Sequence, residues 1–394
     1  MIKISQVRIF ISALLRAKRS EITDAGKNKI IMPFHFSIGD IVVASVFIES
    51  VAEAYCDKEV IVLAKKGICK FAEDAVPLSG NVSFEPFDFE RYSVEYGYYK
   101  SMTARYSDKA DMIIAYNSTP VIDIFTASCY ARKKMGMQRL FHVKWPMGVV
   151  KLLEHAAYTD FYIPDDSTMM LERNMEFLEY LKIPAVNRGF PKLKSMPRFI
   201  ETEHYVVIAP GASTPVKCWP ADHWGDVINY IISRYKVEVH ICGSSDEAET
   251  EERIISNVTD RTMVKAHCGK LNFTEWCSLI QHADLLVTND SAPVHIRAAY
   301  GKKNLCICGA YEPGVMFPYR MRNIDANVQV PEAIIVDMPC AGCSVRGGRD
   351  FSDVPNEECR GTIKQHGCAL CVEMIEVAEV RKKIDELMKD SAIS

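Results

Sequence analysis

The residues Gly211-Ala212-Ser213-Thr214-Pro215-Val216-Lys217-Cys218-Trp219-Pro220 join a small-residue turn to a lysine. They come directly after the apolar run Tyr205-Val206-Val207-Ile208-Ala209-Pro210, which reads as a buried strand delivering the turn. Gly211, Ala212 and Ser213 let backbone N–H groups approach a ligand closely, and Lys217 adds a cation beside them. That is the chemistry of a diphosphate site. A second segment repeats the grammar. The strand Leu285–Thr288 runs into Asn289-Asp290-Ser291-Ala292-Pro293-Val294-His295, where a helix begins. A helix N-terminus carries unpaired N–H groups and roughly half a positive charge, which favours an anion. Two such turns at the carboxyl edge of one parallel sheet would converge on a single nucleotide.

These turns need strands and helices in alternation to hold them, and the chain supplies them. In the first half, the strand Ile30–Phe34 leads into the turn His35-Phe36-Ser37-Ile38-Gly39-Asp40. An apolar helix over Ile41–Ala54 follows, then strands at Glu59–Ala64 and Asp111–Tyr116. Around Pro184–Arg198 periodicity lapses into Pro, Lys and Arg, which reads as a linker. The second half restarts at Tyr205, with a helix over Ala221–Tyr235 and the strand Val237–Cys242. The turn Gly243-Ser244-Ser245-Asp246-Glu247 and the strand Asn304–Cys308 come later. Alternation of this kind predicts an α/β fold of two doubly wound parallel sheets. The expected divisions are an amphipathic extension over 1–28, a first domain over 29–190, a second over 200–338, and a Cys-rich segment with a terminal helix over 339–394.

Composition bounds the function classes. Hydrophobic residues make up 48% and charged residues 25%, as in ordinary globular domains, and a net charge of −4 gives no general case for nucleic-acid binding. No run approaches the roughly 18 apolar residues of a spanning helix. Val7, Phe10, Ile11, Leu14 and Leu15 form an amphipathic helix with Arg8, Arg16, Lys18 and Arg19 nearby. It either packs on its own domain or contacts an anionic membrane peripherally. The stretches Lys100–Arg105 and Arg132–Arg139 are basic loops or helix ends, read as a solvated face or as contacts to an anionic acceptor.

The chain has 14 cysteines, several of them inside apolar runs, and no secretory signal pattern; this suggests reduced thiols in a cytoplasmic protein. Five cluster late: Cys340 and Cys343, Cys359, then Cys368 and Cys371. Two C-x-x-C pairs around a fifth cysteine are thiolate metal-ligand chemistry, for a structural zinc or iron; unligated thiols and disulfides are the other readings.

Three segments together resemble glycosyltransferase family 9, typified by the lipopolysaccharide heptosyltransferases. They are Ser37-Ile38-Gly39-Asp40-Ile41-Val42, Pro210-Gly211-Ala212-Ser213 with Lys217-Cys218-Trp219-Pro220, and Asn289-Asp290-Ser291-Ala292-Pro293-Val294-His295. The resemblance spans residues 29–320. It implies a GT-B fold, two Rossmann-like domains facing across a cleft, with acceptor in the first and nucleotide-sugar donor in the second. It implies inverting transfer of a sugar, usually heptose from ADP-heptose, to a glycan or glycolipid such as lipopolysaccharide core, with no cofactor for catalysis. Asp40 would be the general base, or else a helix cap. Lys217 would neutralise the departing diphosphate in place of a metal ion. Gly211, Ala212, Ser213, Gly243, Asp246, Asp290, Ser291, Ala292 and His295 would hold the donor, although His295 also suits a packed core. Asp246 or Glu247 would reach a ribose hydroxyl, unless Asp246 caps the next helix. Ala292 stands where the family has glycine. Relatives that glycosylate autotransporter proteins hold iron in a cysteine finger, so protein O-heptosylation is a second reading. A GT-B module without catalysis is a third, and the epimerase branch of the fold is a more distant one.

Overall fold

The computed structural model describes residues 4–17, 28–107, 110–138, 147–165, 167–311, 313–321, 328–343, 354 and 356–389. Lys18, Arg19 and Arg139, named above in basic stretches, lie outside these. The chain divides into two compact units, Met1–Gly189 and Phe190–Ser394. The junction falls inside the Pro184–Arg198 stretch, and its later half packs on the second unit. There the Met196 amide donates to Gln281, and the Ser278 hydroxyl to the Pro197 carbonyl.

In the first unit, strands β1 (Lys29–Pro33), β2 (Glu59–Ala64), β3 (Val82–Pro86), β4 (Met112–Ala115), β5 (Lys133–Met137) and β6 (Asp160–Tyr162) form one sheet. All pairings are parallel, in the order β3-β2-β1-β4-β5-β6. The helices are α1 (Ile4–Ala17), α2 (Ile38–Ala54), α3 (Lys66–Ala75), α4 (Phe89–Val94), α5 (Tyr96–Tyr106), α6 (Pro120–Ser128), α7 (Met147–Ala157) and α8 (Met170–Tyr180). Helix α2 is apolar on every side from Ile41 to Ile48, and all of those residues are buried, so it is a core helix rather than a surface one. It begins at Ile38, inside the stretch read as a turn, because Ser37 opens a capping box there. Helix α1 buries Ile9 and Ala13 in this unit and leaves Ile4, Val7, Ile11 and Leu15 exposed. Among the described residues, no helix is long and apolar enough to cross a membrane.

The basic stretch Arg132–Arg139 is not a loop: Lys133–Met137 is strand β5. Two lysines and a glycine carry little strand propensity, so pairing with β4 and β6 overrides the local signal. The Lys134 side chain is 6% exposed, and burial pushes its ammonium down to about 8, with Arg16 adding to the push and Cys129 opposing it. The unfolded chain binds this proton up to about 10.4. Between about pH 8 and 10.4 the unfolded state therefore holds more protons, and stability should rise with pH through that window. Below pH 8 the full penalty persists. Lys134→Met is expected to stabilise the unit at pH 7 by about 2 kcal/mol and to abolish that rise; urea denaturation of both proteins at pH 7 and pH 9.5 checks it. Equal stability at pH 7 would refute it. Of the other basic residues, Arg105 pairs with Glu85, and Arg132 and Lys58 pair with Asp111, so these charges are satisfied within the unit.

The second unit repeats the plan. Strands β7 (Tyr205–Ala209), β8 (Glu238–Ile241), β9 (Val264–Ala266), β10 (Leu285–Asn289), β11 (Asn304–Ile307) and β12 (Glu332–Ile334) pair in parallel as β12-β11-β10-β7-β8-β9. The helices are α9 (Ala221–Tyr235), α10 (Ala248–Ser256), α11 (Phe273–His282), α12 (Ala292–Ala299), α13 (Glu357–His366), α14 (Leu370–Glu373) and α15 (Val377–Met388). Both sheets have the doubly wound order in which the first strand lies beside the fourth. The terminal helix α15 packs back on its own unit. The Tyr230 and Tyr235 hydroxyls donate to Asp385, and the Trp219 indole N–H donates to the Ile375 carbonyl.

Candidate functional site

In a doubly wound sheet, ligands sit beyond the carboxyl ends of the strands where the strand order reverses. In the second unit that point lies between β7 and β10, the two strands that carry the motif turns. Their ends are tied together. The Asn289 side chain donates to the Pro210 carbonyl and accepts from the Trp219 amide at 3.3 Å, and the Thr288 hydroxyl donates to the Ala209 carbonyl. Asn289 therefore sets the spacing of the two turns.

After β7, Gly211 is buried, Ala212 half-buried and Ser213 exposed, and a 3-10 turn at Pro215–Lys217 brings Lys217 inward to 7% exposure. Its Nζ lies 3.3 Å from Asp290 Oδ2 and 4.5 Å from the centre of the Tyr311 ring. The Tyr311 hydroxyl donates to the same Asp290 oxygen at 3.1 Å. Burial would raise the Asp290 carboxyl, but Lys217, His295 and Tyr311 outweigh it and hold it below the usual carboxylate range. Ser291 caps α12, with Ala292 as its first residue and His295 one turn in. His295 is 4% exposed, its Nδ1 lies 2.7 Å from the Tyr319 hydroxyl, and the two rings stack. It is thus a buried, held side chain in the first turns of α12.

After β8, Asp246 is exposed, whereas Glu247 turns inward. A Cβ at position 211 would fall 1.5 Å from Glu247 Oε1, and one at 243 would fall 2.0 Å from Oε2. Glycine at both positions leaves room for this carboxylate, which also accepts from the Ser244 amide at 2.6 Å. Of the two acids, Glu247 is the one placed at the edge of the Gly211 turn.

In the first unit, Asp40 sits in the first turn of α2 after β1. The Ser37 amide and hydroxyl both donate to its Oδ2, at 2.8 and 2.5 Å, so it closes the capping box. Its Oδ1 accepts from none of the described residues. At the same sheet edge Glu90 pairs with His35 and Lys65; burial raises its carboxyl, but those two bonds prevail and bring it to about 2. This charged group beyond β1, β2 and β3 carried no motif and went unread in the sequence.

The late cysteines regroup. Cys340, Cys343, Cys359 and Cys371 line a cavity of about 10 Å³ together with Tyr311, Ala310, Met338, Val354 and Ala369. Cys368 is buried but does not line it, lying near both Cys218 and Cys359. Burial raises the Cys371 thiol to about 12, the Ala310 amide opposes this, and the other three cavity cysteines add to it. All 14 cysteines are free. Among the described residues, no three His, Cys, Asp or Glu side chains already stand in coordinating geometry. The donor set nonetheless suits a thiophilic ion, and the cavity has room for one water-sized species.

Two doubly wound parallel-sheet units, one with paired turns, a buried lysine and a helix N-terminus at its switch point, define a fold of the GT-B class. Residues 158–342 match the model of glycosyltransferase family 9 (heptosyltransferase). The chain is 32% identical over 158 residues to lipopolysaccharide heptosyltransferase 3 of Escherichia coli strain K12, covering 37% of this chain and 46% of that protein. It spans about half the length of the curated relatives it matches. Its fold is similar to a family 9 glycosyl transferase from Veillonella parvula, with a TM-score of 0.68 at 15% identity over 94% of this chain and 100% of that one. It is also similar to E. coli ADP-heptose lipopolysaccharide heptosyltransferase II, at 0.65 and 14%, over 92% and 98% of the two chains.

Proposed function

We propose that this protein transfers a heptose from ADP-heptose to a lipopolysaccharide-core saccharide, with inversion and without a catalytic metal ion. The observation that carries the reading is Lys217, buried at the switch point beside Gly211 and the N-terminus of α12. In this reading the Ser291 and Ala292 amides and Lys217 hold the diphosphate, and Lys217 offsets the charge that grows as it leaves. Glu247, rather than Asp246, binds the ribose hydroxyls. Asp40 removes the acceptor hydroxyl proton through the carboxylate oxygen that the cap leaves unused. Similarity to lipopolysaccharide heptosyltransferase 3 of Escherichia coli over 46% of that protein supports a heptose donor and a lipopolysaccharide-core acceptor. Release of ADP from ADP-heptose in the presence of a core acceptor tests the reading. Turnover is expected to be unchanged by EDTA, and turnover lost on chelation and restored by Mg²⁺ would refute the metal-independent mechanism.

We further propose a structural zinc or iron held by Cys340, Cys343, Cys359 and Cys371. The support is that these four, and not Cys368, line one cavity against the hydrophobic core of the second unit. Four thiolates leave no coordination position open to substrate, so the ion would stabilise rather than catalyse. About one zinc or iron per chain is expected by elemental analysis, falling with Cys359→Ser and unchanged by Cys368→Ser. Fewer than about one ion per four chains, with freely titrating thiols, would refute it.

A further inference from the structure

The buried Lys217–Asp290 pair raises a question that follows from the diphosphate reading, on which this inference rests. In the structure Lys217 faces Asp290 at 3.3 Å, with both side chains nearly withdrawn from solvent. When Lys217 turns towards a diphosphate, Asp290 loses its counter-charge. A buried carboxylate left without compensation is strongly unfavourable. The Tyr311 hydroxyl already donates to the same oxygen, so it can hold Asp290 after the lysine leaves. The face of its ring also lies 4.5 Å from the ammonium, within cation–π reach.

Tyr311 is itself gripped from behind. Its ring lies over Gly309, where a Cβ would come within 2.2 Å of it. Its other side lines the four-cysteine cavity. The Gly342 amide, between Cys340 and Cys343, donates to the Ala310 carbonyl at 2.8 Å. The Ala369 amide, between Cys368 and Cys371, donates to the Val216 carbonyl at 2.8 Å. The two cysteine turns thus hold the residues just before Tyr311 and just before Lys217.

We propose that Tyr311 is a positioning residue that steadies Asp290 while Lys217 engages the donor diphosphate, and that the cysteine turns set Tyr311 and Lys217 in register. The cysteine segment then tunes donor affinity as well as stability. A ring that only fills the core would make the hydroxyl dispensable.

The test is ADP binding by calorimetry, with unligated melting temperatures measured alongside. Wild type is expected to bind ADP, and Lys217→Ala to lose most of that affinity. Tyr311→Phe keeps the ring and should weaken binding about tenfold, the usual worth of a hydrogen bond to a charged group. In an Asp290→Asn background the same change should have little effect, because no charge then needs holding. Cys340→Ser, at a partly exposed cysteine, should also weaken binding, and should add less than its own effect when combined with Tyr311→Phe. Unchanged ADP affinity in Tyr311→Phe, with Lys217→Ala still defective, would overturn the inference and leave the diphosphate reading standing. An equal penalty from Tyr311→Phe with and without Asp290→Asn would overturn it too. No ADP binding by wild type would overturn the reading, and the inference with it.

Discussion

Asp40→Asn is expected to lower turnover about 10²–10⁴-fold while leaving ADP affinity and folding nearly intact. The reasoning starts from the cap. Asp40 accepts from the Ser37 amide and hydroxyl through one oxygen. Asparagine offers a carbonyl oxygen to the same donors, so α2 still begins at Ile38. What asparagine lacks is a basic oxygen at neutral pH. Its amide also gives up the favourable charge at a helix N-terminus, about 0.5 kcal/mol on an exposed turn. Asp40→Ala loses cap and base together, so comparing the two variants separates the roles. If Asp40 is only a cap, Asp40→Asn should turn over like wild type and Asp40→Ala should merely be less stable. Wild-type turnover in purified Asp40→Asn would end its candidacy as the base.

The largest structural effect is expected at Arg297, which no motif marked. Its side chain is 1% exposed, and burial pulls its guanidinium down to about 10 although Tyr205 and Asp284 oppose this. It donates to the carbonyls of Ile280, Gln281, Ala283, Asp284 and Lys303. Four of these lie at the end of α11 and the start of the turn into β10, where helical carbonyls have no partners in their own helix. Arg297→Met keeps most of the volume and strands those oxygens. Breaking a buried, hydrogen-bonded charge in this way costs about 3–5 kcal/mol. Arg297→Lys should recover only part, because an ammonium cannot reach all five acceptors as the flat guanidinium does. Urea denaturation measures both, and a loss under about 1 kcal/mol in Arg297→Met would show that the carbonyls find other partners. Because Arg297 sits on α12, a loosened variant should also bind ADP more weakly.

Much of this was legible in the residue order because it is written locally. An apolar run followed by small residues specifies strand-then-turn at Tyr205–Ser213 and again at Leu285–Ser291, and these turns lie together at the switch point of the second sheet. The alternation of such segments called for two parallel sheets, and two are present. Where the local signal is weak or contradictory, the reading fails. Strand β5 is built from Lys133-Lys134-Met135-Gly136-Met137, whose types suggest an exposed loop, and only pairing with β4 and β6 makes it a strand.

Side-chain partnership was the part withheld. The types and spacing of residues are enough to say that Lys217 meets an anion, that Asp40 heads a helix and that the late cysteines belong together. They cannot say that the nearest anion to Lys217 in the folded chain is Asp290, that Tyr311 holds that same oxygen, or that Cys359 rather than Cys368 shares the cavity with Cys340, Cys343 and Cys371. Those residues stand on loops after different strands or in the terminal segment, far apart in sequence. They come within a few ångströms only because a parallel sheet delivers the ends of all its strands to one edge, and the terminal segment is hydrogen-bonded onto that edge.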